Sequence, residues 1–144
     1  MTTLKQELPL GILIKRINNV YEKEFNILLK NIGITSSQCA VLDFLFYTEL
    51  EEVNQKDVEE ALSLQNPTVT GLLKRLDEKG YILIVPSNVD RRCKSIHLTE
   101  KAYDIRRVVE SSRKEIDKKL TGKLTKKEKE AVKKDLKKML YGIS

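Results

Sequence analysis

The chain is poor in the residues that punctuate, cross-link or ligate. Its 144 residues include six Gly and three Pro. A β-sandwich turns every 8–12 residues and usually draws on such residues, so an all-β fold is disfavoured. Two Cys cannot build a disulfide framework, which points to a reducing compartment. With one His besides, a three- or four-ligand zinc site lacks its ligands. Any Ser-His-Asp or Cys-His catalytic site would have to use His97. Paired catalytic carboxylates and a glycine-rich phosphate loop are missing, since Leu10-Gly11-Ile12 has no phosphate-loop spacing. No run approaches 18 apolar residues, and Met1–Leu10 has no basic flank leading into an apolar stretch. The expectation is a cytoplasmic, non-enzymatic chain with no membrane segment, metal or cofactor.

What is present is a globular composition, 40 % hydrophobic and 33 % charged, with a net charge of +6. The charge is uneven. Residues 1–73 carry −4, residues 74–99 carry +3 and residues 100–144 carry +7. The C-terminal lysine runs lie on a periodic helix and read as a solvated face. The middle excess surrounds a turn, and a phosphate-binding surface needs that kind of local potential.

Helical spacing of Leu10, Leu13, Ile14, Ile17, Tyr21, Phe25 and Leu28 predicts a first helix over about 8–31. Pro9 suits its start and Gly33 its stop. Thr35-Ser36-Ser37-Gln38 is a capping box opening a second helix, to about residue 48. Glu49-Leu50-Glu51-Glu52 reads as a connection. Asn54, with Asp57 three residues on, caps a short third helix. Asn66 as cap and Pro67 at the first position open a fourth, with Val69, Leu72, Leu73 and Leu76 facing the core and Lys79-Gly80 closing it. Two short helices across a tight turn form a helix-turn-helix.

A hairpin follows. Tyr81–Val85 is β-rich, Pro86–Asp90 is turn chemistry, Arg91-Arg92-Cys93-Lys94 is basic, and Ser95–Leu98 alternates like a strand. Thr99 is read as the cap of a fifth helix, and Thr125–Glu128 as a capping box for a sixth with Val132, Leu136, Met139 and Leu140 on its apolar stripe. The fold class is therefore mainly α with a small β-hairpin wing. It divides into an N-terminal helix (1–34), a winged helix-turn-helix (35–99) and C-terminal helices (100–144).

Asn66-Pro67-Thr68-Val69-Thr70 leading to Leu76-Asp77-Glu78-Lys79-Gly80, and Asp90-Arg91-Arg92 leading to Leu98-Thr99, resemble the MarR family of bacterial transcription regulators. The resemblance runs over nearly the whole chain. It implies a homodimer, with 1–34 the N-terminal dimerisation helix and 100–144 the C-terminal dimerisation helices, on double-stranded DNA carrying an imperfect palindrome. It also implies a repressor relieved by a small amphipathic or phenolic ligand, although some members sense oxidants through cysteine. The fourth helix would enter the major groove with Gln65, Asn66, Pro67, Thr68 and Thr70 at its start, and Lys74 and Arg75 would reach phosphate. Arg91 and Arg92 would approach the minor groove, Arg92 in preference, with Asp90 as a brace. Gln55 and Lys56 are candidate phosphate contacts beside helix N–H groups.

Tyr21, Phe44, Phe46 and Tyr47 are candidate ligand-pocket residues near the helix junction. Cys39 and Cys93 are the redox candidates: Cys39 reads as a semi-buried apolar residue, and Cys93 sits among positive charges that favour a thiolate. The first helix has no cysteine, where the family's peroxide sensors carry theirs. Cys93 and His97 share strand parity, a weak metal signal. Two other readings stand beside the regulator: a winged-helix protein–protein adaptor and a thiol-based redox-responsive regulator. An adaptor wing would expose an apolar patch rather than a positive tip.

Overall fold

The computed structural model describes residues 7–143. Among these the order is α1 (Leu10–Leu29), α2 (Ser36–Tyr47), α3 (Gln55–Leu62), α4 (Asn66–Glu78), β1 (Ile82–Pro86), β2 (Lys94–Leu98), α5 (Glu100–Leu120) and α6 (Lys126–Ile143). This is the expected mainly helical chain with one two-stranded antiparallel hairpin.

Local chemistry explains the boundaries. Pro9 stands just outside α1 with ψ 148°, so the helix starts two residues later than its apolar spacing suggests. It ends at Leu29, and Gly33 at φ +80° turns the chain away while its N–H donates to Leu29 and Lys30 carbonyls. The capping box of α2 closes both ways, Gln38 N–H to Thr35 Oγ1 and Thr35 N–H to Gln38 Oε1, each at 3.2 Å. Asn54 and Asp57 do the same for α3, both bonds at 2.9 Å. Thr125 and Glu128 repeat the device at α6.

Two expected caps differ. Gln65, not Asn66, occupies the cap position of α4 and makes no side-chain cap bond. Asn66 is already helical, and its side-chain amide donates to Glu59 on α3 at 3.0 Å. Thr99 stands at the cap position of α5, but its hydroxyl donates to Gly80 O at 2.6 Å and ties the helix start to the end of α4.

The hairpin register runs from Ile82 opposite Leu98 to Pro86 opposite Lys94. Ile96 N–H donates to Val53 O at 2.8 Å, so the connection between α2 and α3 lies along β2. The core is continuous. Val41 and Leu42 of α2, Val58 of α3, and Val69, Leu73 and Leu76 of α4 meet Tyr81, Ile82 and Ile96 of the wing base. Phe25 and Leu29 of α1, with Ala102, Val109 and Ile116 of α5, extend it.

Both ends of the chain leave apolar surface uncovered. Leu10, Ile12, Leu13, Ile14, Ile17 and Val20 of α1 are 41–61 % exposed, and α6 buries no residue at all.

Truncating Leu76, which is fully buried, to Ala is expected to lower stability by about 3 kcal/mol through lost burial and the cavity left behind. Leu83→Ala, on the exposed face of β1, should change it by less than about 0.5 kcal/mol. Urea unfolding of the two variants measures the contrast.

Candidate nucleic-acid interface

Burying Val69, Leu73 and Leu76 fixes the roll of α4. At 3.6 residues per turn, Thr68, Thr70, Lys74 and Arg75 must then face out, and all four are exposed. Gln65, Asn66 and Pro67 are exposed at the helix start. Gln55 of α3 is brought directly to them. Its Nε2 donates to Thr70 Oγ1 at 2.8 Å and approaches Asn66 O at 3.5 Å. Lys56 is exposed one residue further on. The start of α4 is therefore held in a polar mesh anchored on α3, not left as a free end.

The hairpin tip is equally organised. Cys93 N–H donates to Asp90 O at 2.9 Å, and Ser87 N–H donates to Cys93 O at 2.8 Å, closing the turn. Asp90 holds Arg92 through two side-chain bonds, Nε to Oδ1 and Nη2 to Oδ2, both 3.1 Å, and also accepts Arg92 N–H. The pair holds the Asp90 carboxyl below the usual carboxylate range. Asp90 thus braces an arginine, while the Arg92 side chain stays 90 % exposed. Arg91 and Lys94 are exposed beside it. A cleft of about 280 Å³ separates wing from helix, lined among others by Gln55, Thr70, Lys74, Ile84 and Lys94.

One wing contact has no signal in the sequence. Glu52, in the acidic connection between α2 and α3, accepts from Ser87 Oγ at 2.6 Å and from Asn88 N–H at 2.9 Å. These bonds, the Ser87 hydroxyl foremost, hold its carboxyl below the usual range.

The four aromatic candidates do not form one site. Phe46 and Tyr47 share the guanidinium of Arg106, 4.8 and 5.2 Å from their ring centres, and Phe46 meets Tyr103 edge-on at 5.6 Å. Tyr21 belongs to a second cluster around Arg113, whose Nε donates to its hydroxyl at 3.1 Å. Phe44 is half-buried against the core. Arg113 also pairs with Asp43 through both terminal guanidinium nitrogens and lies 5.0 Å from the Phe25 ring centre, so one side chain of α5 ties α1 to α2. Burial works against its charge, but the Asp43 bonds more than offset this and raise its pKa. Nothing local in the sequence signals this pair, whose members stand 70 positions apart.

Cys39 is buried rather than semi-buried, 1 % exposed. Burial first, and the Asp43 charge second, push its thiol up to about 12, against the weaker pull of Arg113. Cys93 is exposed in the wing turn. His97 is taken up by Ser95, with Oγ and Nε2 2.9 Å apart.

A thiol titrating near 12 is ionised to roughly one part in ten thousand at pH 8. An aromatic disulfide reagent at that pH is expected to modify Cys93 in the native protein and Cys39 only after denaturation. Mass spectrometry of the labelled peptides reads the order.

Residues 23–108 match the family model of the transcriptional regulators SarA/Rot. The chain is 33 % identical over 87 residues to the regulator SarZ of Staphylococcus epidermidis, covering 60 % of this chain and 57 % of that protein. It is 36 % identical over 92 residues to MgrA of Staphylococcus aureus, covering 64 % and 59 %. The match thus spans less than two thirds of either relative. Among solved structures, the MarR regulator of Oenococcus oeni superposes with a TM-score of 0.70 at 31 % identity, over 92 % of this chain and 99 % of that one. The MepR–DNA complex of S. aureus superposes at 0.77 with 26 % identity, over 94 % and 97 %. With six helices and one hairpin among the described residues, the chain belongs to the SarA/Rot family of MarR-type winged-helix transcriptional regulators.

Proposed function

We propose that the protein acts in the cytoplasm as a homodimer that binds duplex DNA at an imperfect palindrome, represses transcription there, and is released by a small amphipathic or phenolic ligand. The observation that carries the DNA reading is one of coincidence. The exposed polar start of α4 (Gln65, Asn66, Thr68, Thr70) and the exposed basic wing (Arg91, Arg92, Lys94) flank a single cleft and share it through Thr70 and Lys94. Short polar side chains let the helix approach base edges, and thymine methyls meet the Thr methyls. Lys74, Arg75 and Lys56 reach phosphates, with Gln55 steadying Thr70 from behind. The wing arginines follow the adjacent minor groove. A DNA complex of the structurally similar MepR supports the same partner.

Dimerisation is supported by the apolar surface that one chain leaves open. Exposed α1 residues and Val132, Leu136, Met139, Leu140 and Ile143 of α6 amount to more than scattered surface residues. In a two-fold dimer the recognition helices would lie about 34–36 Å apart, one turn of DNA. Ligand release is supported by Phe46, Tyr47 and Arg106, an aromatic pair with a cation suited to a phenolic or anionic molecule. The thiol-based alternative loses its buried candidate, because Cys39 stays protonated at neutral pH.

Fluorescence anisotropy on the protein's own upstream promoter, against a scrambled duplex and over a salt series, tests the reading. Selective binding is expected, weakened at least about tenfold by Arg91→Ala with Arg92→Ala. Equal weak binding to both duplexes that vanishes with salt would overturn it in favour of the adaptor. A Leu136→Lys, Leu140→Lys variant should sediment as a monomer and lose promoter binding. A variant that stays dimeric and binds normally would remove the α6 interface.

A further inference from the structure

Four consecutive residues, from the end of the α2–α3 connection to the first residue of α3, each hold a different part of the reading surface. Glu52 holds the wing turn, Val53 O holds β2 through Ile96 N–H, Asn54 caps α3, and Gln55 holds Thr70 of α4. Three of these are ordinary winged-helix packing. The Glu52 contact is different, because it is an ionised side chain placed beside the one loop that must approach a polyanion. Charge alone would exclude it from that place.

We propose, on the DNA-binding reading above, that Glu52 is the positioning residue of the wing: through Ser87 it fixes the turn that aims Arg92 at DNA. The chain of bonds has a direction. Ser87 Oγ–H donates to Glu52 Oε2 at 2.6 Å, which leaves the hydroxyl lone pairs facing the turn. Those lone pairs accept Val89 N–H at 3.1 Å and Asp90 N–H at 3.3 Å. Glu52 Oε1 takes Asn88 N–H at 2.9 Å, so three successive turn amides are fixed by the Glu52–Ser87 pair. Asp90, held by its backbone, then holds Arg92 by backbone and guanidinium together. Ser87 is 6 % exposed, so water does not readily substitute at its hydroxyl. Among the described residues the side-chain hydrogen bonds of Glu52 go to Ser87 and Asn88, both in the wing.

The test exploits opposite signs. Removing a negative charge near DNA should by Coulomb attraction alone tighten binding. A positioning role predicts the reverse. With the full-length protein on its promoter duplex, Glu52→Ala is expected to bind about tenfold more weakly, the scale of one charge-assisted hydrogen bond. Glu52→Gln, which keeps an acceptor for one of the two donors, should recover part of that loss. In an Arg92→Ala background, Glu52→Ala should add less than about a twofold change, because its effect runs through Arg92. Amide exchange at Val89 and Asp90 should quicken in Glu52→Ala while core amides hold. Wild-type or tighter binding by Glu52→Ala, or an equal loss with and without Arg92, overturns the proposal. Full-strength promoter binding by Arg92→Ala instead overturns the wing contact of the DNA reading itself, and the proposal with it.

Discussion

The reading surface depends on the burial of one stripe of one helix. Val69, Leu73 and Leu76 are almost wholly excluded from solvent against Val41, Leu42 and the wing base. Each such side chain contributes roughly 1.5–3 kcal/mol, so α4 cannot roll about its axis without losing a large share of the domain's stability. Everything polar on α4 is thereby given a fixed outward direction. The same burial brings Tyr81 and Ile82 onto the core directly after Gly80, whose positive φ lets the chain reverse into β1. Wing and helix are in this sense two edges of one packed body.

Rigidity in the core does not by itself organise the polar side. That is done by hydrogen bonds converging from α3 and the connection before it. Thr70 is engaged by Gln55, Asn66 by Glu59, and the wing turn by Glu52. A surface held this way loses less side-chain freedom on binding, which favours a defined sequence over general attraction to phosphate. Arg113 joins α1, α2 and α5 through Tyr21 and Asp43. The uncovered apolar surface of α1 is therefore coupled through α2 to the module that carries the wing.

Much of this was legible in the sequence because the signals are local. The capping boxes at Thr35, Asn54 and Thr125 name their own helix starts, and the 3.6-residue spacing of α4 names its buried face. The basic turn between two alternating runs announces the wing, and Asp90 beside its arginines reads as a brace, without saying which arginine it holds. Where a side chain departs from its local preference, a distant partner outweighs it. Asn66 has the chemistry of a cap but is claimed by Glu59, and the Thr99 hydroxyl is claimed by Gly80 O, 19 residues earlier. Glu52 and Arg113 carried no signal, since each gains its role from groups 35 or more positions away. The aromatic candidates were chosen by helix position alone, and that could not separate Phe46 and Tyr47 from the Tyr21 cluster.

On the proposed function, two copies of this surface read DNA together, each with helix and wing. A hydroxyl-radical footprint of the promoter-bound protein at single-nucleotide resolution tests this. A two-fold-symmetric pattern is expected, with paired protections centred about one helical turn apart and flanking protections displaced toward the minor groove on each side. A single, asymmetric patch of protection, or a uniform one with no defined centre, would contradict it.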